Sequence, residues 1–419
     1  MNPLLTIKEY GQSIWLDYLS RPLVESGQLR RLIRADGLSG MTSNPAIFNK
    51  AITGGNAYDE TIRTLAGDRQ SVDQIYRTLV VTDIQDAADD FSSVYTSTGG
   101  RDGYVSLEVS PHLAHNTEGT VREARELWLA VNRPNIFIKV PGTEAGIPAI
   151  RQLISEGINI NVTLLFGLPR YQAVAQAYID GLAERVQRGH AIENIRSVAS
   201  FFLSRIDVLV DQQLEAMIEP NGPQAAVAAD LRGQVAIASA KQAYQMYKQI
   251  FGSDQFLNLQ AQGANEQRLL WASTSTKDPA YSDVKYVEAL IGPNTVNTLP
   301  QETLEAYRDH GQPAPRLEED LEASYKTLTR LYDVGIDLDD ITAQLETEGV
   351  QKFIEPFDEL LETISRQRQA VLEGSGPSPA PQPNRPDNEL NRAITLDPNS
   401  QVDEEMWETF PASDPPGNW

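Results

Sequence analysis

Short apolar runs recur through residues 1–373. Each is bounded by polar or turn-forming residues and followed by a longer stretch whose apolar positions fall three and four apart. Such runs predict buried strands, and the spacing between them predicts amphipathic helices. The strand-like runs lie at residues 13–18, 38–42, 103–109, 135–140, 158–165, 196–203, 268–274 and 295–299. Helical spacing fills 121–131, 169–188 and 230–250, the last rich in Ala, Gln and Lys. Eight strands, each followed by helical sequence, predict an α/β protein built as a parallel (β/α)8 barrel of the TIM type. An open doubly wound sheet competes with it. It is disfavoured because no Gly-x-Gly-x-x-Gly turn follows the first strand.

Side chains alternate faces along a strand, so in Ile136-Phe137-Ile138-Lys139-Val140 the three aliphatics share one face and Phe137 and Lys139 the other. Taken alone, such a lysine reads as a strand-end residue with its stem packed and its ammonium in water. If it is buried, keeping it charged is costly. The neutral amine can instead attack a carbonyl and form a Schiff base.

In a barrel of this kind, reactive side chains gather at the C-terminal strand ends. The first strand ends in Asp17 among Trp15 and Tyr18, and the second runs into Thr42 and Asn44. The third carries Glu108 on the face of Ser106, the fifth aims Asn161 and Thr163 together, and the sixth leads to Ser200 and Arg205. Singly, each has an ordinary reading: a solvated carboxylate, a good strand former, a turn residue before Pro45 or a helix cap. Six successive strands ending in reaction-capable side chains point instead to an active site. Imine formation at Lys139 turns a ketone into an electron sink, so a nearby carbon–carbon bond can break or form. Asp17 suits the proton transfer of that step. Glu108 and Thr163 would hold the water of imine formation and hydrolysis. Asn44 and Asn161 offer amides to sugar hydroxyls, and Arg205 with Ser200 offers a fork for phosphate.

Composition narrows the setting. The chain has 419 residues, 41% hydrophobic and 22% charged, with no cysteine, so thiolate nucleophiles and zinc–sulfur sites are excluded. A net charge of −23 argues against nucleic acid and anionic membranes as partners, and any phosphate site must supply local positive charge. The N-terminus lacks a signal-peptide pattern, and no stretch reaches the ~18 apolar residues of a membrane span. A cytoplasmic location is expected. His112 and His115 are three apart after the third strand, without neighbours to complete a metal site, and read as surface histidines.

After Glu373 the composition changes. Residues 374–419 hold nine of the 25 prolines and eight acidic against two basic residues. This segment reads as a proline-rich linker with an acidic, disordered tail, separate from the barrel domain at 1–373. Residues 397–408 place acidic or amide side chains at several calcium-loop positions, but Val402 stands where glycine is needed. The tail aromatics Trp407, Phe410 and Trp419 read either as a segment that docks an unknown protein partner or as part of a solubilising tail.

Several strings resemble those of transaldolase. They are Met41-Thr42-Ser43-Asn44-Pro45-Ala46-Ile47-Phe48, Val105-Ser106-Leu107-Glu108-Val109-Ser110-Pro111, the Lys139 strand, Ile160-Asn161-Val162-Thr163-Leu164-Leu165-Phe166 and Trp271-Ala272-Ser273-Thr274-Ser275-Thr276-Lys277-Asp278-Pro279. The resemblance runs over residues 1 to about 365. It implies a (β/α)8 barrel without metal or cofactor, acting on sugar phosphates in the pentose phosphate pathway. It implies transfer of a dihydroxyacetone unit between fructose 6-phosphate with erythrose 4-phosphate and sedoheptulose 7-phosphate with glyceraldehyde 3-phosphate. It also implies Lys139 as the imine lysine, Asp17 as acid/base, and Glu108 with Thr163 on the water. Thr42, Asn44 and Asn161 would contact substrate, and Ser200 and Arg205 would bind phosphate. Analogy adds a homodimer. One departure stands out: where many members carry Ala-Ser-Phe-Arg, this chain reads Ala272-Ser273-Thr274-Ser275-Thr276-Lys277. Lys277 either supplies the missing charge as a point donor or faces solvent in its loop. Two rival functions remain, a Schiff-base aldolase releasing free dihydroxyacetone and an inactive barrel acting as a scaffold.

Overall fold

Runs that are apolar on both faces can be buried only in a parallel sheet covered on both sides, and the chain meets that demand by closing the sheet. A computed structural model describes residues 2–218 and 222–373. Residues 374–419, expected as linker and tail and including the calcium-like stretch and the three aromatics, lie outside the described residues. Strands β1 (Gln12–Asp17), β2 (Gly40–Thr42), β3 (Tyr104–Glu108), β4 (Ile136–Pro141), β5 (Ile160–Leu165), β6 (Ser197–Phe202), β7 (Arg268–Ala272) and β8 (Thr295–Leu299) form a closed parallel barrel in sequence order. Helices connect the strands, as the (β/α)8 pattern predicts. Among the described residues no helix is long and apolar enough to cross a membrane.

The barrel interior is filled in layers. At the N-terminal end, Arg268 donates to Asp102 at 2.9 Å and to the Ser13 hydroxyl at 2.9 Å, and Ser13 donates to Asp102 at 2.8 Å. Above this polar plug lies an aromatic layer, with Phe137 4.3 Å from Tyr104 and 6.0 Å from Trp15, centroid to centroid. Gly40 is required beside it, because an added Cβ would lie 2.5 Å from the Trp15 ring. The next layer up, at the C-terminal mouth, carries Asp17, Thr42, Glu108 and Lys139.

Two local expectations need correction. The helix expected over 230–250 is two, Ala225–Leu231 and Val235–Phe251. Asp211 accepts from the Gly233 amide at 2.8 Å and Asp207 from the Ala236 amide at 2.7 Å, so side chains replace the helical ladder where Gly233 adopts φ +69°. The sixth strand ends at Phe202, so Arg205 belongs to the first turn of the helix Ser204–Ile218.

The last helix, Leu338–Leu372, is about 50 Å long at 1.5 Å per residue. It crosses the mouth of the barrel. Arg170 after β5 pairs with its Glu346 at 3.0 Å, His112 after β3 meets its Asp358 at 2.7 Å, and Asn49 after β2 donates to its Glu359 at 3.1 Å. Between these anchors its Phe353 ring centroid lies 5.9 Å from Lys139 Nζ.

Candidate active site

Neighbours in register on parallel strands point to the same side of the sheet, so register alone assembles this layer. Asp17 on β1 pairs with Thr42 on β2. Glu108 on β3 pairs with Lys139 on β4, and Lys139 with Asn161 on β5. Thr163 stands one step higher, opposite Pro141. A bulge between Val162 and Leu165, with Leu164 at φ +59°, interrupts the ladder just beyond it. Bulges of this kind re-aim side chains beside functional sites.

The amine is buried: Lys139 is 4% exposed and Glu108 8%. Lys139 Nζ donates to the Ser43 carbonyl at 3.0 Å and lies 3.4 Å from Glu108 Oε2. Thr42 donates to Asp17 Oδ1 at 2.6 Å, and its hydroxyl is 2.7 Å from that of Thr298 on β8. Burial pushes both carboxyl groups above the ordinary carboxylate range. The Lys139 charge opposes this in both, aided by the Thr42 hydrogen bond at Asp17, while the Asp17 charge raises Glu108 further. Among the described residues Glu108 Oε1 and the Thr163 hydroxyl are buried without a hydrogen-bond partner, and Glu108 Oε2 has only its 3.4 Å contact with Lys139. Buried polar atoms demand partners, and an acceptor pair with a hydroxyl near an amine suits a small hydroxylic guest.

The remaining predicted residues divide. Asn161 joins the layer through its Nδ2, which donates to Ser106 Oγ at 3.1 Å, and its Oδ1 accepts from Ser200 at 2.7 Å. Ser200 therefore faces the barrel interior beside Asn161. Asn44 follows β2 and caps the helix Pro45–Thr53, its Oδ1 accepting from the Ile47 amide at 2.9 Å. Arg205 lies with its guanidinium 5.7 Å from the Phe202 ring, itself 5.2 Å from Phe166. Burial lowers Arg205 to about 10, and Glu348 of the last helix opposes that fall. Lys277 is exposed and shares a cleft with Asp207, Asp211, Glu215 and Asp278. Four carboxylates around it make a poor setting for phosphate. His112 and His115 are both exposed.

Three participants were not singled out from the sequence. Ser43 acts through its carbonyl, which carries no sequence signal. Phe353 reads as one more apolar position on a helix. Thr298, a polar residue near the end of the eighth strand, follows the rule that flagged the first six and was legible by extending it.

A lysine amine buried beside a carboxylate, with a second carboxyl group raised by burial, is equipped for imine chemistry with proton transfer. Comparison with known proteins agrees. The family model described as transaldolase/fructose-6-phosphate aldolase matches residues 14–364. A transaldolase of Trichodesmium erythraeum is 50% identical over 369 residues, spanning 87% of this chain and 97% of its own. Transaldolase 2 of a Nostoc species is 48% identical, and the transaldolase of Saccharopolyspora erythraea 47%, with the same shares covered. The chain belongs to the transaldolase/fructose-6-phosphate aldolase family.

Proposed function

We propose that the chain is a Schiff-base transaldolase. It transfers a dihydroxyacetone unit from sedoheptulose 7-phosphate to glyceraldehyde 3-phosphate, giving erythrose 4-phosphate and fructose 6-phosphate in the pentose phosphate pathway. Lys139 attacks the C2 carbonyl of the donor, and loss of water gives the iminium. Asp17 takes the proton of the C4 hydroxyl as the C3–C4 bond breaks, and the bonding electrons pass into the iminium to give an enamine. Erythrose 4-phosphate leaves. The enamine carbon attacks the acceptor aldehyde, and the new alkoxide regains the proton from Asp17. Water then attacks the iminium, handled by Glu108 and Thr163, and frees the lysine. Asn161, Thr42 and the amide of Asn44 contact the sugar hydroxyls. Arg205 binds phosphate, and Ser200 steadies Asn161 against the sugar by donating to its Oδ1. Lys277 is the weaker phosphate candidate, given its acidic neighbours.

The observation that carries this reading is the register placing Glu108, Lys139 and Asn161 side by side on three adjacent strands, with a buried amine 3.4 Å from a carboxylate. Lys139→Gln tests it: transfer should vanish while thermal unfolding stays cooperative, and retained transfer would refute it. The aldolase reading predicts turnover of fructose 6-phosphate without an acceptor; the transferase reading predicts turnover that depends on erythrose 4-phosphate. The chemistry is assigned to residues 1–373, so a truncation there should keep full activity. A homodimer is the expected assembly, read by light scattering. A location in the cytoplasm accords with the reaction proposed.

A further inference from the structure

We propose that Thr298 is a positioning residue for the Asp17 acid/base group, acting through the hydroxyl of Thr42. The inference rests on the assignment of Asp17 as the acid/base. A hydroxyl has one proton to give and two lone pairs to accept with. Thr42 gives its proton to the Asp17 carboxylate, in a 2.6 Å contact of the length charge-assisted O–H···O⁻ bonds take. The 2.7 Å contact between Thr42 and Thr298 must then be filled by the Thr298 proton. Thr298 thus donates to Thr42, and Thr42 to the carboxylate. Each bond polarises the next and stabilises the charge on Asp17.

When Asp17 takes a proton from substrate, the demand reverses. The carboxylic acid donates to Thr42, and Thr42 turns to donate to Thr298. Each hydroxyl keeps one proton throughout, so the change is a pair of rotations. The two-hydroxyl chain follows the charge state of the acid/base.

Thr298 is held for this task. It is buried, it pairs in register with Trp15 on β1, and its carbonyl accepts from Thr274 at 3.1 Å. The charged groups that bear on Asp17 from the other strands are Lys139 on β4 and Glu108 on β3. Thr42 contributes from β2, and Thr298 bears through it from β8.

The test compares Thr298→Val and Thr298→Ser in the full-length enzyme, with kcat and KM followed from pH 5 to 9 beside Asp17→Asn. Removing the hydroxyl should lower kcat about tenfold with little change in KM and move the acid limb of kcat upward by about half a pH unit. Thr298→Ser should restore both. Should Thr298→Val fail to fold, Thr298→Ala, which deletes the same hydroxyl, is read in its place. An inactive Asp17→Asn together with an unchanged pH profile in Thr298→Val would overturn the role of Thr298 alone. Failure of Thr298→Ser to rescue would overturn it too, since shape and not the hydroxyl would then matter. An Asp17→Asn variant that still turns over would overturn the Asp17 assignment and this inference with it.

Discussion

Replacing Thr163 by valine should stabilise the protein while removing most of its turnover. Thr163 is fully buried, and its hydroxyl has no hydrogen-bond partner among the described residues. An unsatisfied buried hydroxyl costs about 1–3 kcal/mol, and valine fills nearly the same volume without it. A small guest held by the hydroxyl would offset part of that cost, so the expected gain is about 1 kcal/mol. For a folded unit of this size, with unfolding entropy near 2.1 cal/mol/K per residue, this raises Tm by about 1 °C. The catalytic effect has the opposite sign. If Thr163 and Glu108 together hold the water of imine formation and hydrolysis, losing one should lower kcat about 100-fold, or about 2.7 kcal/mol of barrier. Calorimetry and a coupled transfer assay at saturating substrate read the two effects separately. A variant less stable by about 1 kcal/mol or more, with kcat unchanged, would show that the hydroxyl is structural and not catalytic.

Three further outcomes follow from other layers. Asp17 binds protons more tightly in the folded state than in the unfolded, because burial raises its pKa. Its contribution to stability therefore falls as pH rises from its unfolded value near 4 through the raised folded value. The Tm of Asp17→Asn relative to the wild type should climb across that window, and a flat difference would contradict the burial argument. Asp102→Ala strips the buried Arg268 of its carboxylate at the far end of the barrel, so stability should drop by about 3–5 kcal/mol. The activity of the molecules still folded should hold, as activity normalised to folded fraction will show. Gly40→Ala would force its new Cβ against Trp15, in the aromatic layer just below Asp17 and Lys139. Overpacking there should cost about 1–3 kcal/mol and lower kcat, checked by denaturant unfolding and the same transfer assay.

Much of the barrel could be read from the chain because its strands are buried on both faces. Continuous apolar runs mark such strands well, and all eight were found within three residues of their observed ends. The Glu108, Lys139 and Asn161 row was legible because Glu108 and Lys139 are charged residues late in otherwise apolar runs, and Asn161 shares a strand face with Thr163. What escaped depends on contacts between distant residues. Thr298 meets Thr42 across 256 positions, and only closure of β8 onto β1 brings them together. Phe353 reaches Lys139 because the last helix spans the mouth, a placement fixed by Glu346, Asp358 and Glu359 meeting partners after three different strands. The hydrogen bond from Ser200 to Asn161 joins residues 39 positions apart and carries no sequence signal. The break at Gly233 was hidden because its cause, the carboxylates of Asp207 and Asp211, lies on a different helix.

On the proposed mechanism the buried amine of Lys139 becomes an imine nitrogen during turnover. Incubating the full-length protein with fructose 6-phosphate and borohydride, then mapping the modified peptide by mass spectrometry, tests it directly. One reduced three-carbon adduct should form on Lys139, absent without sugar and absent in Lys139→Gln. No adduct, or adducts scattered over surface lysines, would contradict it.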